Sequence, residues 1–275
     1  MDKVTLNNGS RMPFVGMGTY PLNGLNFALL VRKAVRLGYC SFDLAPSYGN
    51  EKWFSLGLKI CGKHRSELFI TTKLSNADQR TRDIRSAFQR SLARLGLKYL
   101  DLYLMHWPVP ELYLSSWKQM ELLNREGLVK SIGVCNFNKH HLINLLNVAD
   151  ITPAVNQIEL HPLLSQPHLV NFCKEAGIQV EAYSPFARMH EKLIKNKLLV
   201  SIANHHQKTV PQIILRWNFQ HGVVSVPKAS STTKLKENIC ISDFDLSVEE
   251  MKSLDLLNID FRVRYDPDYC DFDKL

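Results

Sequence analysis

No apolar run in this 275-residue chain approaches the ~20 residues that a bilayer-spanning helix needs. The opening stretch, Met1-Asp2-Lys3-Val4-Thr5-Leu6-Asn7-Asn8-Gly9, has none of the apolar core of a secretory signal. The six cysteines (Cys40, Cys61, Cys135, Cys173, Cys240 and Cys270) include no CxxC pair and no zinc-like spacing. Free thiols in a reducing cytosol are therefore expected. His205-His206 has no carboxylate or cysteine close by in the sequence, so it reads as solvated helix surface and no metal is expected. The net charge is +8, from 34 Lys+Arg against 26 Asp+Glu, yet no basic block or aromatic-interleaved basic stripe is present. That absence argues against nucleic acid and leaves a modest positive field suited to an anionic cofactor or substrate. Linkers, low-complexity segments and short repeats are missing too, and a single domain over residues 1–275 is expected.

What the chain has is alternation. Lys3-Val4-Thr5-Leu6 and Arg11-Met12-Pro13-Phe14-Val15 flank Asn7-Asn8-Gly9-Ser10, a hairpin with the Asn-Gly that a tight turn demands. Short apolar runs then predict a strand closing at 16–19 and others at 40–43, 68–73, 100–106, 128–134, 154–158, 178–183 and 223–226. Helical segments are expected around 25–37, 51–61, 79–95, 139–148, 167–176, 210–219 and 232–238. Eight strands alternating with helices predict an α/β fold, a (β/α)8 TIM barrel with an N-terminal β-hairpin. The rival open sheet would carry a Gly-rich dinucleotide loop, but Gly16-Met17-Gly18 runs into Thr19-Tyr20-Pro21 without a third glycine.

Asp43, Tyr48, Lys73 and His106 each stand at or just past the end of a predicted strand. Barrel enzymes keep their chemistry at that end. A phenol is a poor acid at neutral pH, and a neighbouring ammonium such as Lys73 would lower its pKa. Asp43 would hold the ammonium, and His106 would orient a carbonyl or join the relay. Each residue alone is most simply a solvated or capping group; four together suggest proton transfer to a carbonyl oxygen. The hydride must then come from a cofactor, since side chains cannot supply it.

Around these residues the chain resembles the aldo-keto reductase superfamily over nearly its whole length. The resemblance rests on Phe42-Asp43-Leu44-Ala45-Pro46-Ser47-Tyr48-Gly49-Asn50-Glu51, Thr71-Thr72-Lys73-Leu74 and Leu104-Met105-His106-Trp107-Pro108. It continues in Ile132-Gly133-Val134-Cys135-Asn136-Phe137, Val155-Asn156-Gln157-Ile158-Glu159-Leu160-His161-Pro162 and Ala182-Tyr183-Ser184-Pro185. The compact form is similar to diketogluconate reductases and prostaglandin F synthase-like enzymes. The resemblance implies NADPH-dependent reduction of aldehydes and ketones, with Tyr48 as general acid, Lys73 and Asp43 tuning it, and His106 placing the carbonyl. It implies Thr19, Asp43, Asn136, Gln157, Tyr183 and Ser184 around the nicotinamide end of NADPH. Lys228, Ser230 and Lys234 would take the 2′-phosphate, and Glu237 and Asn238 the adenine. Tyr20, Tyr48, His106 and Trp107 would line the substrate pocket.

The pattern is broken in places. Cys135 stands where serine is usual, Lys234 where arginine is commoner and Ala229 where serine is usual, and Phe186-Ala187 replaces Leu-Gly. Two other classes compete: a Schiff-base aldolase using Lys73, and a regulatory subunit that binds NADPH but turns over poorly. A monomer in the cytosol, with a small-molecule carbonyl substrate and no membrane partner, is expected. The aromatic tail from Phe261 to Phe272 either covers the pocket mouth or packs on the bottom edge of the barrel.

Overall fold

The computed structural model describes residues 2–272 and Lys274. Its strands are β1 (Lys3–Thr5), β2 (Arg11–Pro13), β3 (Met17–Gly18), β4 (Ser41–Asp43), β5 (Phe69–Leu74), β6 (Leu100–Met105), β7 (Val129–Cys135), β8 (Val155–Glu159), β9 (Gln179–Tyr183) and β10 (Val224–Ser225). The helices are α1 (Gly24–Arg36), α2 (Glu51–Lys59), α3 (Asn76–Thr81), α4 (Ile84–Leu95), α5 (Tyr113–Arg125) and α6 (Lys139–Leu146). They continue as α7 (Pro167–Glu175), α8 (Glu191–Ile194), α9 (Lys197–His205), α10 (Val210–Gln220), α11 (Thr232–Ile239) and α12 (Val248–Asp255).

β1 and β2 form the antiparallel hairpin, in the register Lys3↔Pro13. Strands β3 to β10 pair in sequence order, each parallel to the next. The two edges then meet through parallel bridges, Val15↔Ser225 and Gly18↔Lys228, which curl the sheet into a barrel. Gly16 N donates to Ser225 O at 2.9 Å and Gly18 N to Pro227 O at 3.1 Å across that seam. A Cβ on Gly18 would lie 2.4 Å from the Val226 carbonyl oxygen, so only glycine lets the edges approach.

Period two explains what faces where. Phe42 and Tyr103 point outward onto Phe54 of α2 and Phe88 of α4, in the large core between strands and helices. Leu102 and Leu104 point inward and pack with Leu6 and Met12 of the hairpin segment, which closes the floor. At the other end the same alternation turns Lys73, Gln157 and Tyr183 into the mouth.

The helix expected at 79–95 is two. Arg82 adopts φ 57° and ends α3, and the Asp83 carboxylate accepts the Ser86 N–H to start α4. Four helices lie outside the sequence expectations: α5, α8, α9 and α12. α5 buries Tyr113, Trp117, Met120 and Leu123 at helical spacing, but no capping side chain marks its start; α12 buries only Leu254, so apolar periodicity marks it weakly. The tail takes the first of its two alternatives and crosses the mouth. Val263 N donates to Glu159, Asp268 reaches His140, and Phe272 meets the Trp107 ring edge-on. No helix among the described residues is long and apolar enough to cross a membrane.

Candidate active site

Lys73 is fully buried at the end of β5. Its Nζ donates to both Asp43 carboxylate oxygens at 2.7 Å, to Leu44 O at 3.1 Å and to the Tyr48 hydroxyl at 3.3 Å. Tyr48 comes from a tight turn, Pro46–Tyr48, closed by Gly49 at φ 66°. Its ring stays partly open to the crevice, 5.1 Å from the Tyr20 ring and 6.3 Å from His106. His106 in turn stands 6.5 Å from Trp107. All four residues expected to carry the chemistry, with Tyr20 and Trp107, thus surround one space.

The neighbouring strands supply a polar network. Thr19 Oγ1 donates to Asp43 O, and Gln157 Nε2 donates to Asp43 Oδ1 at 3.0 Å and to Glu181 Oε2 at 2.6 Å. Asn136 Nδ2 donates to His106 O at 3.0 Å, and Tyr183 donates its hydroxyl proton to Asn136 Oδ1 at 2.7 Å. The Gln157 amide hydrogens are committed inside the protein, which leaves Oε1 as its acceptor toward a bound group. Cys135 is a full member of the network: its Sγ accepts from Asn136 at 3.2 Å and donates to Gln157 Oε1 at 3.5 Å. Ser184 adopts φ 47° just past β9, where the chain leaves the mouth.

Burial pushes the Tyr48 hydroxyl up, Lys73 pulls it down, and the result is about 12. Here the sequence expectation is corrected: the ammonium does lower the phenol, but burial outweighs it. Tyr48 is therefore a held proton at neutral pH. Burial pushes the Lys73 ammonium down, but Asp43 and Tyr48 push it up and prevail, so the amine stays charged. A lysine without a free lone pair is a poor Schiff-base nucleophile, which counts against the aldolase reading. Burial lowers His106 to about 3, helped by Lys73 and Arg264, so its imidazole is neutral. Burial also raises Glu181 to about 8, with Asp43 adding to the effect, and raises the Cys135 thiol.

Glu181, Glu159 and Arg264 are site neighbours that sequence reasoning missed. The signal for Glu181 was available: a carboxylate two positions before Tyr183 in a buried strand must face the same way. The expectation for His205-His206 also needs correction. Glu250 arrives from α12, with His206 Nε2 3.0 Å from both its oxygens and His205 Nδ1 3.1 Å from one. Forty-four positions separate His206 from Glu250, so the carboxylate comes close only in the folded chain.

Lys228 and Ser230 lie exposed on the loop between β10 and α11, Lys234 lies exposed in the first turn of α11, and Ser231 caps that helix by accepting the Lys234 N–H. Beside the loop, a cleft of about 440 Å³ is bounded by Lys33, Phe27, Ser230 and Thr232. Asn238 is buried, and its Nδ2 has no hydrogen-bond partner among the described residues.

A model of the Aldo/keto reductase family matches residues 16–259. The chain is 46% identical over 268 residues to a glyoxal reductase of Bacillus subtilis (strain 168), covering 97% of this chain and 96% of that protein. Among solved structures it superposes on an aldo-keto reductase from a Medee basin deep-sea metagenome library with a TM-score of 0.95. That pair shares 39% identity over 98% of this chain and 99% of the other. The Bombyx mori aldo-keto reductase in complex with NADP superposes with a TM-score of 0.90 at 34% identity, covering 97% and 96%.

Proposed function

Because the chain belongs to the aldo/keto reductase family, we propose that it reduces aldehydes and ketones with NADPH, using Tyr48 as the general acid. The observation that carries this reading is the Tyr48 hydroxyl, 3.3 Å from an ammonium that both Asp43 oxygens hold in place.

The residues present fit NADPH. Lys228 and Lys234 are exposed, and no carboxylate lies within 4.0 Å of either among the described residues, which suits an added phosphate. The unpartnered Nδ2 of buried Asn238 suits a ring-nitrogen acceptor on the adenine. Asn136 and Gln157 would orient the carboxamide, Tyr183 would stack on the nicotinamide, and Thr19, Ser184 and Glu237 would complete the cofactor's surroundings. When bound, NADPH supplies the hydride that adds to the carbonyl carbon.

This chain's own residues do the rest. His106 is neutral and donates a hydrogen bond to the carbonyl oxygen without surrendering a charge. Tyr48 gives that oxygen its proton as the alkoxide develops, and the resulting phenolate rests beside the Lys73 ammonium. Asp43 keeps that ammonium charged and fixed. Tyr20 and Trp107 wall the space and exclude water. The reading takes residues 1–275 as one barrel domain working as a monomer in the cytosol.

The test is NADPH absorbance with a panel of aldehydes and ketones, headed by glyoxal because a relative is named for it. Carbonyl-dependent oxidation, slower with NADH, is expected. Tight NADPH binding with no oxidation by any carbonyl would instead favour the regulatory subunit.

A further inference from the structure

The end of α9 and the start of α12 bring together two imidazoles and a carboxylate that the reaction above does not use. α9 closes in a left-handed turn: Gln207 adopts φ 54°, its N donates to Asn204 O at 3.1 Å, and Lys208 N donates to Ala203 O at 2.9 Å. That closure fixes the backbone of His205 and His206 at the helix end. Glu250 is set from the other side by a capping box. Its Oε2 accepts Ser247 N at 2.8 Å, while Ser247 Oγ accepts Glu250 N at 3.1 Å. The His206 ring lies 5.3 Å from the Phe244 ring, and the His206 and Glu250 side chains are only 15% and 16% exposed.

His205 Nδ1 stands 3.1 Å from Glu250 Oε1 and His206 Nε2 3.0 Å, and one ligand atom from each residue lies within 4.8 Å of the others. Zinc bonds of about 2.0–2.2 Å hold ligand atoms roughly 3–4 Å apart, so a small turn of the exposed His205 ring lets all three meet one ion. Two imidazoles with one carboxylate suit a borderline transition cation better than Mg²⁺ or Ca²⁺, which take oxygen.

The protons have somewhere to go. His205 Nε2 and His206 Nδ1 make no hydrogen bond among the described residues, so each ring can carry its proton there and turn a lone pair toward Glu250. The other such group, His140, His141 and Asp268, lacks this freedom. His141 Nδ1 already accepts Asn138 N, which keeps the ring proton on the nitrogen that faces Asp268. Glu250 has no lysine or arginine within 4.0 Å among the described residues, so a cation would supply its missing countercharge. Its bond from Ser247 N is the kind of outer support that orients a metal-binding carboxylate.

We propose that His205, His206 and Glu250 form a binding site for a zinc-type divalent cation, which clamps the end of α9 to the start of α12 while water completes its coordination. The site stands independently of the reductase reading.

The test is isothermal titration of ZnCl₂ into the full-length, tag-free chain after chelator treatment, with circular dichroism to verify folding. Wild type should bind one Zn²⁺ with a micromolar Kd, and Mg²⁺ or Ca²⁺ should not compete. His205→Ala changes a side chain that is 75% exposed, and Glu250→Gln keeps the capping box, since glutamine accepts at the same place. Each should weaken Zn²⁺ at least tenfold. Zn²⁺ at 100 times Kd should raise the wild-type melting midpoint by about 5–10 °C, and the same concentration should raise neither variant's by more than half as much. Cys240→Ser, which removes an exposed thiol, and His140→Ala should bind as wild type does. Absence of Zn²⁺ binding by wild type would overturn the proposal and leave the three residues as a hydrogen-bonded helix cap only. Unchanged binding in both His205→Ala and Glu250→Gln, or its loss in Cys240→Ser or His140→Ala, would overturn it by placing the ion elsewhere.

Discussion

Replacing Lys73 with methionine, close in length but uncharged, separates the structural from the chemical duty of the buried pair. The ammonium is fully buried and the only cation within 4.0 Å of the Asp43 carboxylate among the described residues. Removing it leaves that carboxylate with the Gln157 amide as its one recorded side-chain donor. Breaking a buried ion pair from one side costs about 3–5 kcal/mol. At roughly 2–4 °C per kcal/mol for chains of this size, the midpoint of melting should fall by about 10 °C. The double variant Asp43→Asn/Lys73→Met removes the stranded charge and should recover most of that loss. Catalysis should not recover, because each unit by which the Tyr48 phenol rises without its ammonium is worth about 1.36 kcal/mol. A drop in kcat of at least 100-fold is expected in both variants. Differential scanning calorimetry with NADPH turnover on the same preparations reads both quantities. A single variant that melts within 2 °C of wild type would refute the reasoning, as would a double variant that turns over normally.

Glu181→Gln should stabilise the fold in a pH-dependent way. Its folded pKa is raised to about 8, so the folded state retains a proton that the unfolded chain releases near 4.5. Its contribution is fully present below the lower value and is lost as pH rises to the upper one. The melting advantage of the variant should therefore grow from pH 4.5 to pH 8 and then level off; an advantage that shrinks with pH would contradict this. Gly18→Ala should lower stability by about 3 kcal/mol in urea titrations, because the Val226 carbonyl 2.4 Å from the new Cβ must move and with it the barrel seam. Replacing both Lys228 and Lys234 with alanine should weaken NADPH binding about tenfold by fluorescence titration and leave NADH within twofold. Equal effects on the two cofactors would show that the loop does not read the 2′-phosphate.

The barrel was legible because its strands are buried on both faces, so each shows as a short apolar run ending at a polar residue. Strand ends such as Asp43, Lys73 and Tyr183 fell within a residue or two of expectation for that reason. Helix α5 is legible in the spacing of Tyr113, Trp117, Met120 and Leu123 although no capping side chain marks its start, whereas α12 buries a single leucine. The Ser247–Glu250 capping box was the one local signal for α12. Within the site, residue types and order identified the quartet, but pairings between distant segments did not show. Glu159 with Arg264 joins a strand end to the tail, and Gln157 with Glu181 depends on the register between β8 and β9. The net effect on Tyr48 was hidden likewise, because sequence reveals the neighbouring lysine and not the depth at which both lie.

The most direct test of the central claim is kcat for Tyr48→Phe with NADPH and the best carbonyl substrate, alongside NADPH Kd. Loss of the general acid predicts a fall of about 10²–10⁴ in kcat. The NADPH Kd should stay within threefold, because the lost hydroxyl touches Lys73 and not the loop assigned to the phosphate. A variant that keeps more than a tenth of wild-type kcat would contradict the account, and Tyr48 would not be the proton donor.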